Sequence, residues 1–203
     1  MPRSQYEEIL SQIHSLQKQL NQEFDHLLAE KRAQFQYNLE KGKVIFDKRM
    51  LDFQHNHRTG VWHYLKQARV AHILTAPIIY SVIFPLILLD LAVFIYQQTC
   101  FRVYGIPIVK RADHIIIDRH HLAYLNSIEK FNCMYCGYGN GLIELIREVF
   151  ARTEQYWCPI KHARRSVSLH QHAENFVDYG DAQAYRNKLE TLREQLRKAK
   201  KEE

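Results

Sequence analysis

The stretch ILTAPIIYSVIFPLILLDLAVFIY, residues 73–96, decides how the rest of this chain must be read. It holds 24 residues with one ionisable carboxylate, Asp90. A helix needs roughly 20 apolar residues to cross a hydrocarbon core of about 30 Å, so the stretch predicts a membrane anchor. Pro77 and Pro85 each remove a backbone donor and predict kinks. Asp90 is costly, about 2.5–3.5 kcal/mol at a membrane centre, and asks for a partner, an interfacial position or a proton. The flanks do not orient the segment: Arg58, Lys66 and Arg69 on one side balance Arg102, Lys110 and Arg111 on the other. Two arrangements therefore stay open, a single kinked span and a re-entrant hairpin that breaks at Pro85 and leaves both flanks on one side.

Working back towards the N-terminus, VWHYLKQAR (residues 61–69) sets Trp62 and Tyr64 among basic residues, a composition suited to the headgroup level. His55 and His57 lie in a polar loop before it. Residues 4 to about 40 read as a helix, with Ser4 and Glu7 spaced as a capping box and Gly42 ending or kinking it. Ile9, Ile13, Leu16, Leu20 and Leu27 recur at near-heptad spacing. This helix either folds back on its own chain or forms a coiled coil. A second helix is expected from Val44 to Gln54.

Working forward, Cys100 sits just past the apolar run. VYGIP (residues 103–107) reads as a turn. Ile115, Ile116 and Ile117 are a β-branched run suited to a short strand or a lipid-facing strip. A helix is expected from Arg119 to Asn132, capped by Asp118. Gly137, Gly139 and Gly141 are expected to break the chain before a second helix over Leu142 to Tyr156. Cys133 and Cys136 form C-x-x-C ahead of the glycines, and Cys158 and His162 follow in WCPIKH. Zinc takes thiolate and imidazole in a tetrahedron, so Cys133, Cys136, Cys158 and His162 make a candidate zinc site. It closes only if the intervening helix is short or the glycine loop doubles back, since 15 helical residues span roughly 22 Å. The alternatives are a thiol redox pair at Cys133 and Cys136, a carboxylate-rich metal site from Glu129, Glu144, Glu148 and His121, and plain structural cysteines. His114-x-x-x-Asp118 is one residue short of the H-x-x-x-x-D of membrane acyltransferases. Residues 182–203 read as a polar helix whose Leu189, Leu192 and Leu196 form a narrow stripe able to pair with the N-terminal helix.

The runs YGIP, DRHHLAYLN, EKFNCMYCGYGNG, ARTEQYWCPIKHA and DYGD, between about Tyr104 and Tyr179, resemble an uncharacterised family of small bacterial membrane proteins. The resemblance implies a bacterial cytoplasmic membrane location. It implies no reaction and no ligands, and it leaves out the chain before residue 60 and after 182.

Over 203 residues the net charge is +6 and mean hydropathy −0.39, so everything outside the apolar run is quite polar. No nucleic-acid motif and no basic run of five is present. The basic balance beside an apolar segment fits anionic headgroups better. The first ten residues, MPRSQYEEIL, hold no apolar signal core, so reduced cysteines on the cytoplasmic side are expected. The expected architecture is mainly α and membrane-anchored: a helical arm over 1–60, an anchor over 61–102, a compact helical Cys/His-rich module over 103–181, and a polar helix over 182–203. The expected function is a zinc-stabilised interaction module that binds the lipid bilayer and meets a protein partner, or a second copy, through its helical arms. The alternative is a membrane-associated thiol-redox or lipid-modifying enzyme.

Overall fold

The computed structural model describes residues 2–40, 43–164, 166 and 170–202. It is mainly helical. Helix α1 (Pro2–Gln34) ends where Gln36 takes a left-handed conformation, φ 49°. Gly42 and the side chains of Ser4 and Glu7 lie outside the described residues. The chain then forms an antiparallel hairpin, β1 (Tyr37–Glu40) and β2 (Lys43–Phe46), with Tyr37 opposite Phe46. Their rings meet at 5.5 Å, a cross-strand aromatic pair of the kind that stabilises short ladders. This corrects the expected helix start at Val44: the β-branched pair Val44 and Ile45 extends, and α2 begins only at Lys48 (Lys48–Asn56). Helix α3 (Val61–Gln67) follows, and the extended residues Ala68 and Arg69 lead into the apolar segment.

That segment is one long helix from Val70 to Tyr104, 35 residues, long and apolar enough to cross a membrane. It comprises α4 (Val70–Ser81), α5 (Ile83–Tyr96), a π-type segment (Gln97–Phe101) and α6 (Arg102–Tyr104). Pro85 offers no N–H to the Ser81 carbonyl, and the helix loosens at Val82 but does not turn back. The continuous helix is therefore the arrangement found, and the hairpin at Pro85 is not. Gly105, φ +75°, ends it in the left-handed conformation that suits glycine at a helix C-terminus.

Helix α8 (Ser127–Trp157) is the companion of this helix. Between them runs a strap, residues 105–126, with two short turns, α7 (Arg111–His114) and a 3-10 turn at Arg119–His121. The strap returns the chain to the start of the apolar helix, so α8 runs parallel to it. Tyr80 donates to Asn132 Oδ1 at 2.5 Å, Tyr138 to an Asp90 oxygen at 2.8 Å, and the Tyr96 and Thr153 hydroxyls meet at 3.0 Å. The three bonds follow in ascending order along both helices, as parallel packing requires. The inner stripe of the apolar helix is Ala76, Tyr80, Ile83, Leu86, Asp90, Val93 and Gln97, spaced three or four apart. The core at the far end gathers Phe101, Ile106, Val109, Leu142, Leu145, Val149, Tyr156 and Leu196.

Two helical expectations change here. The expected helix over 119–132 does not form. Asn126 caps α8 instead, accepting from the Ile128 and Glu129 amides at 3.0 Å while Glu129 takes the Asn126 amide at 2.9 Å. Nor do the glycines break the chain, because α8 is continuous through all three. Gly137 and Gly141, four apart and both buried, share the face crossed by the strap. A Cβ on Gly141 would lie 2.6 Å from the His114 carbonyl oxygen, and one on Gly137 3.2 Å from that of Ile116. They serve close backbone approach, as small residues at i and i+4 do between packed helices. Ile115 to Ile117 lie in this strap and join no strand.

Helix α9 (Ala182–Glu202) packs on α8, with Leu192 and Leu196 buried. Its leucine stripe is thus occupied within the chain and does not meet α1. The stripe of α1 remains open: Ile9, Leu16, Leu20, Phe24 and Leu27 are all at least half exposed.

Candidate functional site

The four expected zinc ligands are not brought together. Cys133 and Cys136 lie near the start of α8 and Cys158 is its C-terminal cap. At 1.5 Å per residue the 24 residues from Cys133 to Trp157 rise about 36 Å. Continuity through the glycines is the physical reason. Among the described residues, no group of three or more His, Cys, Asp or Glu side chains is placed to share one metal ion. All four cysteines are free, and Cys100, in the π-type segment, is half-buried. Cys133 and Cys136 stand six and nine residues inside a helix, beyond the reach of its N-terminal dipole. Burial and the Glu154 carboxylate push the Cys158 thiol upward, away from the reactive thiolate form.

The structure instead builds three polar groupings around α8. The first answers the cost of Asp90. Its carboxylate is bonded by Arg111 from the strap and by the Tyr138 hydroxyl from α8. Burial, with the Asp90 bond, pushes the Tyr138 phenol up to about 12, so it acts as a neutral donor. The Asp90 bond raises Arg111 further still, keeping it a cation. Three chain segments are tied at this one carboxylate.

The second lies on the C-terminal half of α8, against residues 170–174. His172 Nδ1 meets Gln155 Oε1 at 2.7 Å and its Nε2 meets Glu148 Oε1 at 3.0 Å. Arg152 donates to Glu148 at 2.8 Å and to the Pro107 carbonyl at 3.0 Å. Glu154 takes His170 at 2.9 Å on one oxygen, with His162 4.0 Å from the other. His162, read from sequence as a zinc ligand, thus sits beside Glu154 and His170. The His-x-His of 170 and 172 clamps its segment to α8 through two carboxylates six residues apart, Glu148 and Glu154. WCPIKH is held in place beside it, with Val177 donating to the Pro159 carbonyl at 2.9 Å and Lys161 to Val177 at 2.8 Å.

Burial alone would raise Glu148, but the bonds from His172 and Arg152 outweigh it and hold the carboxyl at about 2. A carboxylate depressed from 4.5 to about 2 stabilises the fold above pH 4.5 and loses that contribution as pH falls towards 2. Glu148→Gln is therefore expected to cost about 1.5–3 kcal/mol at neutral pH, the range for hydrogen bonds to charged groups. The gap from the parent should close as pH drops from 4.5 to 2. Denaturant midpoints across that range check it, and a pH-independent gap would remove Glu148 from this role.

The third grouping is an open pocket of about 340 Å³ where the DRHHLAY run faces the hairpin. Phe35, Tyr37, Phe46 and Tyr124 wall it, with Asp118, Arg119 and His121 at the rim. Burial is the main influence lowering His121, with His120 adding to it, so His121 favours the neutral ring. Gln54, buried in α2, accepts from the Ala123 amide at 2.9 Å and fixes the strap against the N-terminal region. Sequence reading overlooked Gln54, Arg152 and Gln155; lone polar residues on helices carry no motif.

These groupings join segments to one another, and none sets a nucleophile, a base and an oxyanion donor around a shared point. No family model, no curated protein and no solved structure matches this chain.

Proposed function

We propose that the protein is a membrane-bound, non-enzymatic interaction module: the Val70–Tyr104 helix holds it to a lipid bilayer, and α1 carries its contact with a second copy of the chain. The observation that carries the membrane half is the exposure of the apolar helix. Its inner stripe is covered, while Leu74, Ile78, Phe84, Leu88, Leu91 and Ile95 are at least half exposed. An exposed apolar surface of this extent is far beyond what a water-soluble monomer carries. Alkaline carbonate extraction of membranes tests the membrane half: the chain should stay with the pellet, and release to the supernatant would contradict the proposal.

The α1 stripe supports the second half. Ile9 and Leu20, Ile13 and Phe24, and Leu16 and Leu27 are each eleven residues apart. An 11-residue repeat follows 3.67 residues per turn, close to a straight α-helix, so the stripe stays on one face through α1 without a left-handed supercoil. With the α9 stripe already covered by α8, the same face of a second α1 is its best-matched partner. Replacing Leu16 and Leu20 together by Asp should raise the dimer dissociation constant at least tenfold in detergent, measured by analytical ultracentrifugation, with membrane retention unchanged. An unaltered dimer, or a parent that is monomeric at high concentration, would count against α1 as the contact.

A further inference from the structure

We infer that the apolar helix does not cross the bilayer but lies along it, sunk into one leaflet beside α8, so that the protein is monotopic. The inference rests on the membrane reading above and specifies its geometry.

The reason is what accompanies the helix. The midpoint of Val70–Tyr104 is Ile87, and the strap passes α8 at the same level. Gly139 faces Leu86, while its neighbours Gly137 and Gly141 face Ile116 and the His114–Ile115 backbone. Asp90, three residues beyond Ile87, holds Arg111. A crossing pose centred on Ile87 would therefore carry residues 110–119 to mid-bilayer. That run, KRADHIIIDR, holds five charged side chains in ten residues. Lys110, Arg111, Asp113, Asp118 and Arg119 are all exposed. Each charge at the membrane centre costs about 2.5–3.5 kcal/mol. The backbone adds more, because residues 115–118 form neither helix nor strand, and orphaned amides in lipid cost several kcal/mol each. Glu144 on α8, exposed and 3.9 Å from His114, would enter with them.

Lying flat, the same molecule meets no such cost. The strap crosses the face of α8 that carries Gly137 and Gly141, while Gly139, on the opposite face, meets Leu86 of the apolar helix. Tyr80 meets Phe131 at 5.2 Å and Tyr96 meets Phe150 at 6.5 Å, which extends the apolar surface onto the near flank of α8. A helix with side chains is about 10–12 Å across, and one leaflet offers about half of a 30 Å core. The helix fits into one leaflet with its strap in water. Its 35 residues, about 52 Å at 1.5 Å each, overrun the thickness of a core but not its plane.

Sidedness in sealed membrane vesicles separates the outcomes. With the four cysteines replaced by serine, single cysteines at Arg58→Cys and Tyr179→Cys flank the helix pair at its two ends. An impermeant maleimide should label both from the same side and neither from the other. The otherwise native chain, tagged at each end, gives a second reading by protease removal of the tags, which should also share one side. Labelling of the two sites from opposite faces overturns the inference and leaves the membrane reading intact. Recovery of the chain in the carbonate supernatant overturns both.

Discussion

Gly141→Val is expected to destabilise the protein by about 3 kcal/mol or more, near the upper end for overpacking, which is on the order of 10 °C in Tm for a chain of this size. The Cβ would stand 2.6 Å from a carbonyl oxygen and 2.8 Å from the Ile115 Cα. Both neighbours are backbone and cannot rotate away. Gly139→Ala is expected to go the other way. Its Cβ meets only Leu86 Cδ1 at 3.5 Å, an ordinary contact, and alanine gains up to about 1 kcal/mol over glycine inside a helix. Helical circular dichroism on heating in detergent checks both. Equal effects at the two positions would mean that the strap does not cross α8 at Gly141.

The Asp90–Arg111 pair carries the second large effect. Asp90 keeps 16% of its side chain exposed and Arg111 45%, so the carboxylate is the partner that cannot be left alone. Arg111→Met leaves it with only the Tyr138 hydroxyl. Removing one partner of a buried pair costs 3–5 kcal/mol; with the guanidinium half in water, a loss of about 2–3 kcal/mol is expected on that scale. Joining Asp90→Leu to Arg111→Met should recover most of it, since replacing both charges by apolar groups removes the desolvation cost. Denaturant titration of the two single variants and the double closes the cycle. Strictly additive losses would show that the two residues act independently.

The long apolar helix was legible in the sequence because its signal is one-dimensional: 24 residues of nearly unbroken apolar character need no partner to be recognised. The need of Asp90 for a partner was legible for the same reason, though Arg111 and Tyr138 were not, since only the returning strap brings them near. The reading failed at the glycines. Three within five residues look like a break when propensity is counted locally, and the packing of the strap on Gly137 and Gly141 overrides that count. The error carried into the proposed zinc ligands, because a break would have let Cys158 and His162 fold back towards Cys133 and Cys136. The hairpin at 37–46 was lost to the helical pattern around it; Tyr37 and Phe46 signal it only once paired. The leucines of α9 were read correctly as an apolar stripe, but a stripe does not name its partner, and α8 took the place expected for α1. His170 and His172 are fastened to Glu154 and Glu148 on a helix that their own spacing does not reveal.

The placement of the apolar helix along α8, in one leaflet, is tested most directly by depth. Spin labels at Leu74, Ile78, Phe84, Leu88 and Ile95, all on exposed positions of the helix, report distance from the headgroups through the ratio of oxygen to nickel-complex accessibility in vesicles. Depths that stay within one leaflet, about 15 Å, and vary only with helical rotation are the expected result. A profile that deepens to the bilayer centre near Phe84 and Leu88 and becomes shallow at both Leu74 and Ile95 would contradict it.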